Sequence, residues 1–193
     1  MGLHTLLGLL AITIAAIGYV PYFRNIFLGR TKPHAFSWLV WGILTGVAFF
    51  GQIAGKGGSG SWVTGVSAII CIAIFLLALN KGEKDFPMSD WLCLIGAALA
   101  LLFWALTKSP LTAIILITII DFVGFIPTFR KSYSKPLDET VFTYSLSGLK
   151  FFVGILALQK YSLITILYPA SLVLTNGLFV CLVTARRRQL IAN

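Results

Sequence analysis

Seven long apolar runs dominate the chain, separated by short polar intervals. They cover Leu3–Tyr22, Ala35–Ile53, Trp62–Leu79, Trp91–Thr107, Leu111–Phe129, Val141–Leu158 and Tyr161–Thr184. Each approaches the length that a helix needs to cross a bilayer core. Lipid cannot satisfy backbone N–H and C=O groups, so a series of such runs has to be helical. The pattern predicts an all-α integral membrane protein with seven transmembrane helices. Between the runs, Lys56-Gly57-Gly58-Ser59-Gly60-Ser61 reads as a flexible connection and Lys81 to Pro87 as a charged turn.

Composition points the same way. Apolar residues make up 58% of the chain and charged residues only 11%, against roughly 25% charged in ordinary globular proteins. The net charge of +9 does not read as nucleic-acid binding, because the basic residues cluster at helix ends and form no continuous face. The intervals after runs one, three and five and the C-terminal tail hold 11 Lys and Arg: Arg24, Arg30, Lys32, Lys81, Lys84, Arg130, Lys131, Lys135 and Arg186 to Arg188. The other side holds three, Lys56, Lys108 and Lys160. The positive-inside bias puts the N-terminus outside and the C-terminus in the cytoplasm. The first run lacks the basic start and cleavage site of a signal peptide, and a bacterial or archaeal plasma membrane is the expected residence. Cys71, Cys93 and Cys181 lie in apolar runs and read as small buried residues. His4 and His34 are far apart, and no phosphate-binding loop or nucleophile motif occurs. Neither cofactor, metal nor enzymatic activity is expected.

Sliding the chain on itself by 106 residues aligns Ile17-Gly-Tyr-Val-Pro-Tyr-Phe-Arg24 with Val123-Gly-Phe-Ile-Pro-Thr-Phe-Arg130 without a gap. Phe36 and Phe142, Ser37 and Thr143, Gly42 and Gly148, and Val47 and Val153 continue the match. Pro and Arg are scarce here, yet they recur with their spacing intact. The repeat predicts two three-helix units, residues 1–80 and 109–193, the second ending in the basic tail. Residues 81–108 supply a linker helix. That extra crossing makes the two units parallel, a 3+1+3 plan.

With its paired prolines, this plan resembles the SWEET and PQ-loop superfamily of membrane transporters. Pro127-Thr128-Phe129, followed by basic residues and Lys135-Pro136, is similar to the Pro-Thr-Phe segment of SWEET sugar transporters, and Asn176-Gly177-Leu178 to the Asn-Gly segment of their seventh helix. The resemblance implies a SWEET-like fold with Asn176 facing the substrate. The sequence departs from the pattern where Tyr22 and Thr128 replace the Gln of a Pro-Gln pair, and where Ile70 stands opposite Asn176.

Ionisable residues inside spans are costly and read first as functional. Asp121 and Lys150 each fall near the bilayer midplane on consecutive antiparallel spans, so they are expected to meet. They either line a central cavity for a polar solute or a proton, or lock two helices as an ion pair. Asn176 is the next candidate, and Ser147, with Ser145, shares the region before Lys150. Trp41 and Trp38 are placed to stack on a solute, although Trp38, Trp62 and Trp91 also suit an interfacial belt. Gln52 lies too near its span's outer end to rank high. Pro21 and Pro127, with Gly18 and Gly124, read as hinges, and Arg24 and Arg130 as cytoplasmic anchors. The expected function is transport of a small polar solute such as a sugar or amino acid, by alternating access, facilitated or proton-coupled. The rivals are a receptor or sensor on the same scaffold and a structural subunit. The expected partners are the solute and the lipid bilayer, with a homo-oligomer left open.

Overall fold

The computed structural model describes residues 2–29, 33, 35–82, 88–134, 136 and 141–192. The predicted turn at 83–87, and the side chains of Pro127, Arg130 and Cys93, lie outside the described residues. Those described form seven α-helices: α1 (Leu3–Phe27), α2 (Ala35–Ala54), α3 (Trp62–Lys81), α4 (Met88–Thr107), α5 (Pro110–Ser134), α6 (Val141–Leu156) and α7 (Leu163–Ala192). A 3-10 turn, Gly58–Ser61, leads into α3. Among the described residues no strand occurs.

Four segments are long and apolar enough to cross a membrane: Leu3–Phe27, Ala35–Ala54, Gly58–Lys81 and Leu163–Leu190. Pro110–Ile126 and Val141–Leu156 are shorter apolar helices. Large apolar side chains such as Leu6, Val20, Ile69, Leu92, Leu106 and Leu174 point outward, while Asp121, Lys150, Gln52 and Ser67 are buried. A protein apolar outside and polar inside is stable in lipid, not in water. The described residues are all-helical and have the character of a helical membrane protein.

The helices pack in a paired scheme. α3 packs against both α1 and α2, and α7 packs against both α5 and α6. Two seams join these triplets, α1 with α6 and α2 with α5, and two smaller contacts join α3 with α6 and α2 with α7. Exchanging α1 with α5, α2 with α6 and α3 with α7 maps every one of these contacts onto another. α4 stands outside the exchange and leans on α5 and α2.

One expectation needs correction. The Gly/Ser-rich connection after α2 is not a flexible loop. Ser59, Gly60 and Ser61 are buried, and the turn is wedged between α1 and α6. A Cβ on Gly60 would sit 2.6 Å from the Leu158 nitrogen and 2.7 Å from the Gly154 oxygen, and one on Gly8 would sit 2.8 Å from the Ser59 oxygen. The Ser59 hydroxyl donates to the Ala157 carbonyl at 3.2 Å, and the Gln159 N–H donates to the Gly57 carbonyl at 3.0 Å. Small side chains let main chain meet main chain here. Flexibility was the wrong inference from the same composition. The basic Arg186–Arg188 tail is held by neighbouring main chain. α7 continues through it, Arg186 Nε donates to the Tyr133 carbonyl at 3.3 Å, and Arg187 Nε donates to the Pro136 carbonyl at 3.0 Å. Carbonyls at a helix C-terminus lack intrahelical donors, and the arginines supply them.

Candidate functional site

Asp121 comes from the middle of α5 and is only 3% exposed. Its carboxyl group lines a narrow cavity of about 60 Å³ in the α2–α5 seam, together with Ser37, Val40, Trp41, Leu44 and Gly124. That volume is about two waters' share of liquid. Among the described residues the carboxyl forms no hydrogen bond and no ion pair. Trp41 and Gly124, both expected from the sequence, do belong to this cavity.

Lys150, also 3% exposed, does not meet Asp121. Its ammonium crosses the α1–α6 seam and donates to the Tyr19 hydroxyl at 3.1 Å and the Ser67 hydroxyl at 3.0 Å. It lies 4.5 Å from the Tyr19 ring centre and 4.7 Å from that of Phe151. Hydroxyls and ring faces offset part of the several kcal/mol that burying an ammonium costs. The expected meeting fails because α7, not α6, is the main neighbour of α5 in its triplet. α5 and α6, although consecutive, are not close neighbours.

An aromatic wall connects the two charged groups. Trp41 meets Trp38 edge-on at 5.3 Å, and Trp38 meets Tyr19 edge-on at 6.3 Å. Trp38 also packs on Tyr22 at 5.2 Å and is buried, so it is no interfacial belt residue. The Cys71 thiol on α3 lies within electrostatic reach of both Asp121 and Lys150. One polar centre therefore draws on α1, α2, α3, α5 and α6.

Asn176 does not join it. Its amide donates to the Leu172 carbonyl of its own helix at 2.7 Å. It lines a separate cavity of about 260 Å³ between α6 and α7, with Tyr144, Ser145, Gly148 and Phe152. Tyr168, fully buried on α7, lies within electrostatic reach of Asp121. Asn176 lies eight residues further on, turned by about 80° and shifted by about 12 Å. Ser147 is half-buried and forms no side-chain hydrogen bond among the described residues. Ser145 donates to the Val141 carbonyl at 3.0 Å. Of the hinge candidates, Gly18 packs on Leu146 in the α1–α6 seam, where a Cβ would sit 3.7 Å away. Pro21 is inside α1, and α5 runs through position 127. Among the described residues, no three His, Cys, Asp or Glu side chains gather as metal ligands would.

Gln52 was undervalued. It is 1% exposed, and its amide donates to the Thr165 carbonyl on α7 at 2.9 Å. That carbonyl is free because its helical donor would be the N–H of residue 169, which is Pro169. A proline inside an apolar run was the available signal, since it leaves a carbonyl in need of a donor. α7 itself starts at a side-chain cap, in which the Ser162 N–H donates to the Thr165 hydroxyl at 3.0 Å. Gln52→Leu should cost about 1–3 kcal/mol by orphaning a buried carbonyl. Pro169→Ala, by restoring the helical donor, should cancel much of that cost. Reversible unfolding of both variants and of the double variant in micelles measures it, and strict additivity would argue against the clasp.

Comparison with family models, with curated proteins and with solved structures found no match to this chain.

Proposed function

We propose that this chain is a carrier of small polar solutes, built as two parallel three-helix units, α1–α3 and α5–α7, with α4 as linker. The reading rests on one combination: helix contacts that exchange in pairs between the two triplets, with a buried ionisable group in each seam that meets no opposite charge among the described residues. Such seams are where two units can rock about a central site, and Gly18 and Gly124 give each seam a residue with no side chain to obstruct sliding. Retaining Asp121 buried, with no hydrogen-bonding or ionic partner among the described residues, is costly for a merely structural role, whereas a passing solute can complete its hydrogen bonds. The excess of Lys and Arg at one end of the helices supports an N-terminus outside and a C-terminus on the cytoplasmic side.

Purified protein in proteoliposomes, given labelled sugars and amino acids with and without a proton gradient, tests this. Saturable uptake is expected, reduced at least about tenfold by Asp121→Asn, in line with loss of a group worth more than about 1.4 kcal/mol. A response to the gradient marks coupled transport. Full flux in Asp121→Asn would remove this site from the mechanism, and absence of flux for every solute would favour a receptor on the same scaffold.

A further inference from the structure

The cavity at Asp121 sets one ionisable group among walls that are mainly hydrocarbon. Asp121 is 3% exposed, and among the described residues its carboxyl has no hydrogen-bonding or ionic partner. Around it stand Trp41, Ser37, Val40, Leu44 and Ile120. The buried Trp38, one turn before Trp41 on α2, packs against it with ring centres 5.3 Å apart and planes at 88°. That contact braces the indole on the cavity wall. Lys150 takes no part here, because its ammonium is held in the α1–α6 seam by the hydroxyls of Tyr19 and Ser67.

These walls discriminate between classes of ligand. An anion is repelled by the Asp121 carboxylate. A sugar needs many hydrogen-bonding partners, and the side chains of Val40, Leu44 and Ile120 supply none. A sugar also leaves the carboxylate charge uncompensated, which is costly away from water. A hard metal cation requires about six or more oxygen ligands, whereas the lining side chains bring only the Asp121 carboxyl and the Ser37 hydroxyl. A small organic cation suits every wall. Its N–H groups donate to the carboxylate in a charge-assisted bond, and its carbon atoms rest on the aliphatic side chains. The indole face of Trp41 attracts the same positive charge. The volume of about 60 Å³ admits an ammonium with one or two carbons and excludes a sugar ring.

We infer that the α2–α5 cavity binds the ammonium group of a small amine, with Asp121 as its anionic contact and Trp41 as its aromatic one. As the cargo site it rests on the reading of the chain as a solute carrier, and it narrows that cargo to amines.

Saturation-transfer NMR on the purified protein in detergent tests the site independently of flux. The probe is methylammonium chloride, compared with sodium chloride (a metal cation), sodium acetate (an anion) and acetamide (neutral). Methylammonium should saturate in the millimolar range, the range open to a ligand of two heavy atoms. Acetate and acetamide should bind at least about tenfold more weakly, and sodium at equal concentration should not displace methylammonium. Asp121→Asn should weaken methylammonium at least about tenfold. Trp41→Leu should weaken it about two- to 30-fold, while Trp41→Phe retains most of the affinity. Elution volume and thermal midpoint show whether each variant is folded, and if one fails to fold the other decides the point. Absence of saturable methylammonium binding, acetate or acetamide binding as tightly, displacement by sodium, or unchanged affinity in a folded Asp121→Asn or Trp41→Leu variant would overturn the inference. Saturable sugar uptake without methylammonium binding defeats this inference but leaves the carrier reading intact. Methylammonium binding without flux of any solute does the reverse.

Discussion

Gly60→Ala should lower the stability of the purified protein by about 3 kcal/mol, the upper part of the range for overpacked cores. The added methyl would lie 2.6 Å from the Leu158 nitrogen and 2.7 Å from the Gly154 oxygen. Both are backbone atoms, so no side-chain rotation relieves the contact. The turn would have to lift from α6, taking with it the Ser59 bond to the Ala157 carbonyl and the Gln159 bond to Gly57. Gly46→Ala is the control, because nothing lies within 4 Å of a Cβ there. It should be neutral or slightly stabilising, given the better helix propensity of alanine. Reversible unfolding in micelles separates the two, and equal costs would mean that the 58–61 turn is not wedged as described.

The second large effect concerns the buried charges. Lys150→Met should fold at least as well as the parent, because it removes a buried ammonium that has no anionic partner among the described residues. It should nevertheless abolish uptake. Combined with Asp121→Asn, its effect on stability should add to within about 0.5 kcal/mol, as expected of groups that do not touch. An ion pair would instead leave a coupling of about 1.5 kcal/mol or more. A stability cycle in micelles and flux in proteoliposomes together decide whether Lys150 is kept for structure or for the solute.

Hydropathy carried much of this architecture, for a physical reason. Lipid allows only helices, so the apolar runs translate almost directly into helical segments, and α2 and α3 begin where the sequence places them. Ionisable residues inside apolar runs were conspicuous for the same reason, and Asp121 and Lys150 are both buried. What hydropathy cannot provide is azimuth, the direction in which a residue faces around its helix, or which helices are neighbours. It assigned Lys150 to Asp121 because their spans are consecutive. The actual partners, Tyr19 and Ser67, lie 131 and 83 residues away. Asn176 shows the same gap, since its depth in α7 was readable and its facing was not. Gln52 was judged by depth alone, when the relevant clue was the carbonyl that Pro169 leaves open on another helix.

The wedge at Gly60 also restricts how that end of the molecule can open. A barrier of bulky side chains can be breached by rotamer flips, which take picoseconds to nanoseconds at exposed sites. Here the Gly60, Gly154 and Leu158 main chains touch directly, and a peptide backbone has no rotamer to change. Widening the gap requires α6 and the turn to separate as whole bodies, a slower and more collective step. Such a wall passes nothing by flicker, so if the chain is the proposed carrier, ions should not leak through this end between openings.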